Sequence, residues 1–192
     1  MSKIRIFFIA FAALAVLAPA TAVAEASAKP ASVVARAAQQ CADADLEPAA
    51  DNLPRIRAAI ICLHNQIRDE KGLSNLRHAG RLRRAAVGHS RDMVADSFFE
   101  HTTPEGRTMV ERILRARYVR EDQGWVLGEN LAWGTGSLST PRGAVQSWMD
   151  SPGHRANILK RAYRDLGVGV VLGVPVSDTD GATYTVDFGV RR

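Results

Sequence analysis

Three side chains on short, motif-like segments of this 192-residue chain stand out as groups able to move a proton or hold a cation. They are His101 in Phe98-Phe99-Glu100-His101-Thr102, Glu129 in Gly128-Glu129-Asn130-Leu131, and His154 in Ser151-Pro152-Gly153-His154. An imidazole gains and loses a proton near neutral pH and ligates metals through its neutral nitrogen, and a carboxylate beside it tunes either role. Each of the three lies on a short segment punctuated by glycine or proline. They stand far apart in sequence, so any shared site has to be assembled by the fold. Asp150 and Ser151, just before His154, are further candidates for the same place. The competing reading is structural: the histidines cap turns and Glu129 accepts backbone N–H bonds.

The other rings read as packing residues. His89 sits on an apolar stripe with Ala86 and Met93 and is expected in or beside the core. His64 is expected half exposed on the first helix, and His78 in a loop. Trp133 and Trp148 fall on elements that pack against a sheet and are expected in the core.

Those elements follow from the spacing. Asn52 and Pro54 open a helix in which Ile56, Ile60, Leu63 and Ile67 recur at helical intervals until Gly72. Leu82, Ala86, His89 and Met93 mark a second helix. Thr108 with Glu111 three residues later forms a capping box for a third, which carries Val110, Ile113, Leu114 and Tyr118. Thr140-Pro141 starts a fourth through Val145, Trp148 and Met149, and His154 to Leu159 adds a short helical turn. The period then changes. Leu166–Val174 and Tyr184–Val190 read as strands joined by a turn at Ser177–Gly181, with a further strand at Leu131–Trp133. Helices flanking a small antiparallel sheet define an α+β domain.

The N-terminus carries a different signal. Lys3 and Arg5 precede an uncharged apolar run from Ile6 to Ala18, and Ala22-Val23-Ala24 offers a small-x-small cleavage site. Residues 1–24 therefore read as a secretory signal peptide, too short in its apolar part to span a membrane. Removing it takes two cations from a formal net charge of +5. The remaining basic residues are interleaved with acids, which argues against nucleic-acid binding. Residues 25–40, rich in alanine, read as a flexible linker. No later stretch is long and apolar enough to span a bilayer. An exported chain with two cysteines favours a Cys41–Cys62 disulfide; a catalytic thiol is the lesser alternative.

Taken in order, the segments resemble the CAP superfamily of cysteine-rich secretory, antigen-5 and pathogenesis-related class-1 proteins. The likeness is to its single-domain secreted bacterial branch. It rests on Leu63-His64-Asn65-Gln66, Gly88-His89-Ser90-Arg91-Asp92-Met93, Phe99-Glu100-His101-Thr102, Gly128-Glu129-Asn130-Leu131, Trp148-Met149-Asp150-Ser151-Pro152-Gly153-His154 and Asp187-Phe188-Gly189. The resemblance covers residues 41–192 and implies an α-β-α sandwich with a central antiparallel sheet and a surface cleft. It also implies that His101, His154 and Glu129 line that cleft, with a divalent cation, zinc above all, as a possible cofactor. The family's second acid is not matched: Ser151 stands at its place and Asp150 one residue before it.

Two functions follow as expectations. The first is a non-enzymatic, monomeric binding module, secreted or held in the cell envelope, for a small ligand, lipid, peptide or envelope partner. The second is a metal-dependent hydrolase of peptidase type using the same cleft. No Gly-x-Ser-x-Gly elbow and no His-Glu-x-x-His helix is present, so no catalytic residue is assigned.

Overall fold

The change of period near the C-terminus becomes the centre of the sheet. In the computed structural model, which describes residues 32–192, β3 (Asp165–Val174) and β4 (Ser177–Arg191) pair antiparallel as one long hairpin. β2 (Trp125–Gly134) pairs antiparallel with the other side of β4, and the two-residue β1 (Arg77–His78) pairs parallel with β3. The order is β1-β3-β4-β2, so the sheet is mixed, and His78 lies in its short parallel edge rather than in a loop. Val174 pairs with Ser177, which leaves Pro175-Val176 as the turn. The polar run Ser177–Gly181 is thus strand. Pro175 decides this, because its fixed φ suits a turn and it has no N–H for a ladder.

Alternation along β4 sorts the two layers of helix. Tyr184, Val186 and Phe188 face a core shared with α1 (Val33–Gln39), α2 (Leu53–Asp69), α5 (Pro141–Asp150) and Tyr163. Thr183, Thr185 and Asp187 face the other way and are buried as well, because α3 (Gly80–Ala95) covers that side. The helix lies unusually close to the sheet. A Cβ at Gly167 would come within 2.1 Å of the Arg83 nitrogen, and one at Gly169 within 2.4 Å of the Ala86 carbonyl carbon. Glycine at both positions lets backbone meet backbone and fixes where α3 puts His89.

Four expectations change with burial. Part of the expected linker is the helix α1, capped by Ser32, with Val34 and Ala37 fully buried; alanine and valine there pack rather than flex. The remainder of that linker up to residue 31 and the signal peptide lie outside the described residues. His64 is completely buried, between Trp148 and Phe188, and burial lowers its pKa to about 4. Asn52 holds the N-cap position of α2, but its side chain makes no capping bond and instead bonds the Ala49 N–H and the Glu47 carbonyl. Trp133 is 40 % exposed, because β2 is an edge strand and Trp133 lies next to its end.

α4 (Met109–Arg115) begins with the expected Thr108–Glu111 capping box, and α6 (Pro152–Ile158) follows α5 directly. Tyr118 lies beyond α4, where its hydroxyl donates to Asp165 at 2.8 Å. Side chains from the α5–α6 region bond the carbonyls of β2. Trp148 Nε1 donates to Leu131 (2.7 Å), Asn157 Nδ2 to Glu129 (3.1 Å) and the Tyr163 hydroxyl to Leu127 (2.9 Å). Cys41, after α1, is joined to Cys62 on α2 by a disulfide.

Candidate functional site: a buried glutamate between His101 and Arg112

Glu129 is the centre of the site. Midway along β2, its side chain is only 1 % exposed. One carboxylate oxygen, Oε1, accepts a hydrogen bond from His101 Nδ1 at 2.8 Å; the other, Oε2, accepts from the Arg112 guanidinium at 2.6 Å. Arg112, on α4, is itself buried and also donates to the carbonyls of His101 (2.9 Å) and Arg107 (3.1 Å). It thereby fastens the loop 101–107 to the sheet. Burial works against the Glu129 charge, yet the His101 bond and the Arg112 cation outweigh it and hold its carboxyl below the usual range.

A carboxylate only accepts, so His101 carries its hydrogen on Nδ1 and turns Nε2 outward; its side chain is 56 % exposed. The bond to Glu129 raises the His101 pKa against the opposing effect of partial burial. His101 is therefore an oriented imidazole that holds a second proton more firmly than a free histidine does. His154, on α6, is near enough that a charged His101, added to burial, lowers its pKa. Its position is fixed from behind: Asn130 Nδ2 donates to the His154 carbonyl at 3.1 Å, and Asn157 Nδ2 donates to Asn130 Oδ1 at 2.9 Å.

The structure thus brings His101 and Glu129 into contact and sets His154 within electrostatic reach. Asp150 is exposed, and its carboxylate accepts from Gln146 one turn earlier on α5 (2.8 Å). Ser151 is half buried at the start of α6 and makes no capping bond. Neither is bonded to His101 or Glu129 among the described residues.

A cation held by His101, His154 and Glu129 does not fit this donor set. Both Glu129 oxygens already accept from His101 and Arg112 inside the protein. Among the described residues, no group of three or more His, Cys, Asp or Glu stands together to hold a metal ion. Two imidazoles alone fall short of the three protein ligands usual in a catalytic zinc site.

Three further residues complete the site without having been evident from sequence. Arg112, on α4, sits in no motif that marks it. His89 is wholly buried, with Nε2 against the Glu100 carbonyl at 2.9 Å, so it supports the loop that carries His101. Asp187 stands opposite Glu129 in the β2–β4 register, 1 % exposed and close beside the Glu129 carboxylate. Burial, reinforced by the neighbouring Glu129 charge, raises its pKa well above the usual value. A signal did exist: an acid inside the aromatic and β-branched strand Tyr184–Val190 has to be neutral or paired if it is buried.

Asp187 yields a prediction with a definite sign. A carboxyl whose folded pKa is raised stabilises the fold fully below its unfolded pKa, near 4, and loses that contribution as pH rises through the folded value. Wild-type stability should therefore fall with increasing pH above about 4 by this component. Asp187→Asn, which imitates the protonated acid, should remove that slope. Urea denaturation across pH 4–8 checks it, and parallel curves for the two proteins would show that Asp187 does not hold its proton.

The fold and this site define the class. The chain belongs to the CAP family, the cysteine-rich secretory protein family, whose model matches residues 61–188. It is 35 % identical over 111 residues to the "uncharacterized membrane protein YlbC" of Bacillus subtilis (strain 168), and 31 % over 112 residues to YkwD of the same organism. Each match covers 58 % of this chain, which spans 30 % and 41 % of the two relatives. An extracellular SCP-domain protein of Bacillus anthracis (strain Ames) shares the fold with a TM-score of 0.55 at 29 % identity, over 71 % of this chain and 43 % of its own. An outer surface protein of Borrelia burgdorferi matches in fold at 20 % identity, with a TM-score of 0.58 over 74 % of this chain and 95 % of its own. A disulfide accords with the extracellular and surface setting of these neighbours. Among the described residues no helix is long and apolar enough to cross a membrane.

Proposed function

We infer that the protein is an extracellular or envelope-located binding module. In this reading the His101 imidazole, presented by the buried Glu129–Arg112 pair, donates a hydrogen bond to a polar or anionic group of its ligand, with His154 alongside. One observation carries the reading: Glu129 is consumed in orienting His101, and His101 Nε2 is left at the surface. A hydrolase would need Glu129 to act on a water or a metal, and its side chain is 1 % exposed with both oxygens engaged. The ligand class is a small ligand, lipid, peptide or envelope component displaying an acceptor.

A direct test uses the chain with its disulfide intact against three probes: purified peptidoglycan, anionic phospholipid vesicles and an acylated dipeptide. Binding is read by sedimentation or by shifts of the His101 ring resonances. One probe is expected to shift His101 and to lose its binding in the His101→Ala/His154→Ala variant. That binding should weaken as pH rises through the raised His101 pKa, because Nε2 is a donor only in the protonated ring. Undiminished binding by the double variant, or turnover of the dipeptide by the wild type, would refute the assignment.

A further inference from the structure

The outer side of α3 carries cations that the fold does not balance. Arg81, Arg83, Arg84 and Arg91 are exposed on it, and ten residues of helix spread them over about 15 Å. The opposite helical layer pairs Arg36 with Glu70, Arg55 with Asp43 and Arg142 with Asp45. On α3, by contrast, the side chains of Arg83, Arg84 and Arg91 have neither an ion pair nor a hydrogen bond among the described residues, and Arg81 donates to the Arg117 carbonyl alone. Asp92, the single acid within α3, lies toward Arg107 at 3.9 Å. The cations continue past the helix. His78, exposed on the β1 edge, stands within electrostatic reach of Arg83 and of Arg57 on α2; burial together with those two charges lowers its pKa. Burial and the Arg83 charge lower that of Arg57. Acids interleaved with these residues in sequence are thus sorted away from them by folding.

Two features set these cations against the stability of their own elements. A helix N-terminus is the positive end of the peptide dipoles and favours acids. Yet α3 has no acid in its first turn and no side-chain cap, and Arg81, Arg83 and Arg84 crowd its first five residues. Arg57, His78 and Arg83 are moreover gathered from three elements to where like charges repel. Such conflicts between local preference and fold belong to functional surfaces, and a bound anion relieves both of them. The course of the cations selects the anion. They run along α3 from Arg91 to Arg83 and then turn round the β1 edge to Arg57 in the other helical layer. A flat bilayer cannot touch that whole length, whereas a flexible chain can follow it. The exposed large apolar side chains among the described residues, Phe99, Trp133, Leu138, Leu172 and Val176, all lie on other elements. The track therefore has nothing to enter lipid, to stack nucleobases or to anchor a protein partner. Guanidiniums do pair well with carboxylates, two oxygens at a time. We infer that the track from Arg91 through Arg84, Arg83 and His78 to Arg57 binds a linear acidic polysaccharide through the carboxylates along its chain.

The track is independent of the His101 reading and is tested without it. Polygalacturonate is titrated into the disulfide-intact protein by calorimetry at low and high salt, with dextran as the uncharged control. Saturable binding is expected for polygalacturonate alone, weaker at high salt because exposed charges are screened. Arg83→Gln/Arg84→Gln should weaken it about tenfold, since each change removes an exposed ion pair with the ligand. The same variant should keep or raise the melting temperature, because neither side chain bonds within the protein and both oppose the helix dipole. Arg155→Gln/Arg161→Gln removes the same charge from exposed positions on and after α6 and should bind like the wild type. So should His101→Ala/His154→Ala. An equal loss in the Arg155/Arg161 variant would reduce the effect to net charge, and a lower melting temperature for the Arg83/Arg84 variant would make those arginines structural. Tighter binding of polyglutamate, duplex DNA or anionic vesicles would assign the surface to another partner. Each of these results overturns the proposal, as does an absence of binding to polygalacturonate.

Discussion

Glu129→Gln is expected to destabilise the fold by about 3–5 kcal/mol, the usual cost of removing one partner from a buried ion pair. The substitution preserves shape, so the loss measures charge. It leaves the Arg112 guanidinium, 5 % exposed, without the carboxylate at 2.6 Å that compensates it. It also sets a neutral amide against the His101 imidazole, whose pKa should return toward the ordinary value. Urea denaturation gives the first effect and the His101 proton resonances give the second. Arg112→Met in the Glu129→Gln background should cost far less than the sum of the two single changes, because the stranded cation has gone with its partner. A loss below about 1 kcal/mol for Glu129→Gln alone would mean that the pair behaves as a solvated surface bridge.

Removing the disulfide should have the next largest effect. Cys41 and Cys62 are 21 residues apart, and closing a loop of that length is worth about 3 kcal/mol through the unfolded chain. For a domain of this size, Cys41→Ser/Cys62→Ser should lower the melting temperature by about 6–12 °C. The damage should concentrate at α1, which the bridge ties to α2 and which otherwise docks through few large residues, Val34 foremost. Hydrogen exchange would locate it there. A wild-type melting temperature unmoved by reductant would show that the bridge contributes nothing.

The helices and the central hairpin were legible because their signals are local. The Ile56–Ile67 stripe, the Thr108–Glu111 box and the Val-rich strand each write their structure in adjacent residues. His101 and Glu129 were legible as types on punctuated segments, with the family resemblance to join them. Burial set by a second layer was harder to read. Nothing near His64 announces Phe188 and Trp148 as its walls, and nothing near Asp187 announces α3 above it. Arg112 was missed for the same reason, since a basic residue on a short helix looks solvated until the strand supplying its acid is placed beside it. The turn at Pro175-Val176 was misplaced because five polar residues outweighed one proline in the count, although the proline alone could not join the ladder.

The side-chain bonds along β2 bear on how the molecule meets other chains. A strand at the border of a sheet ordinarily offers a row of free backbone groups, onto which a second polypeptide can add itself. Here the outward carbonyls of Leu127, Glu129 and Leu131 are already taken by a phenol, an amide and an indole from the same chain. The stretch of backbone that carries Glu129 is consequently closed to strand addition. Neither an extended peptide nor another copy of the protein can extend the sheet there without first displacing Tyr163, Asn157 and Trp148. Recognition at this end of the molecule is left to side chains, and the fold is guarded against growing into a continuous ribbon.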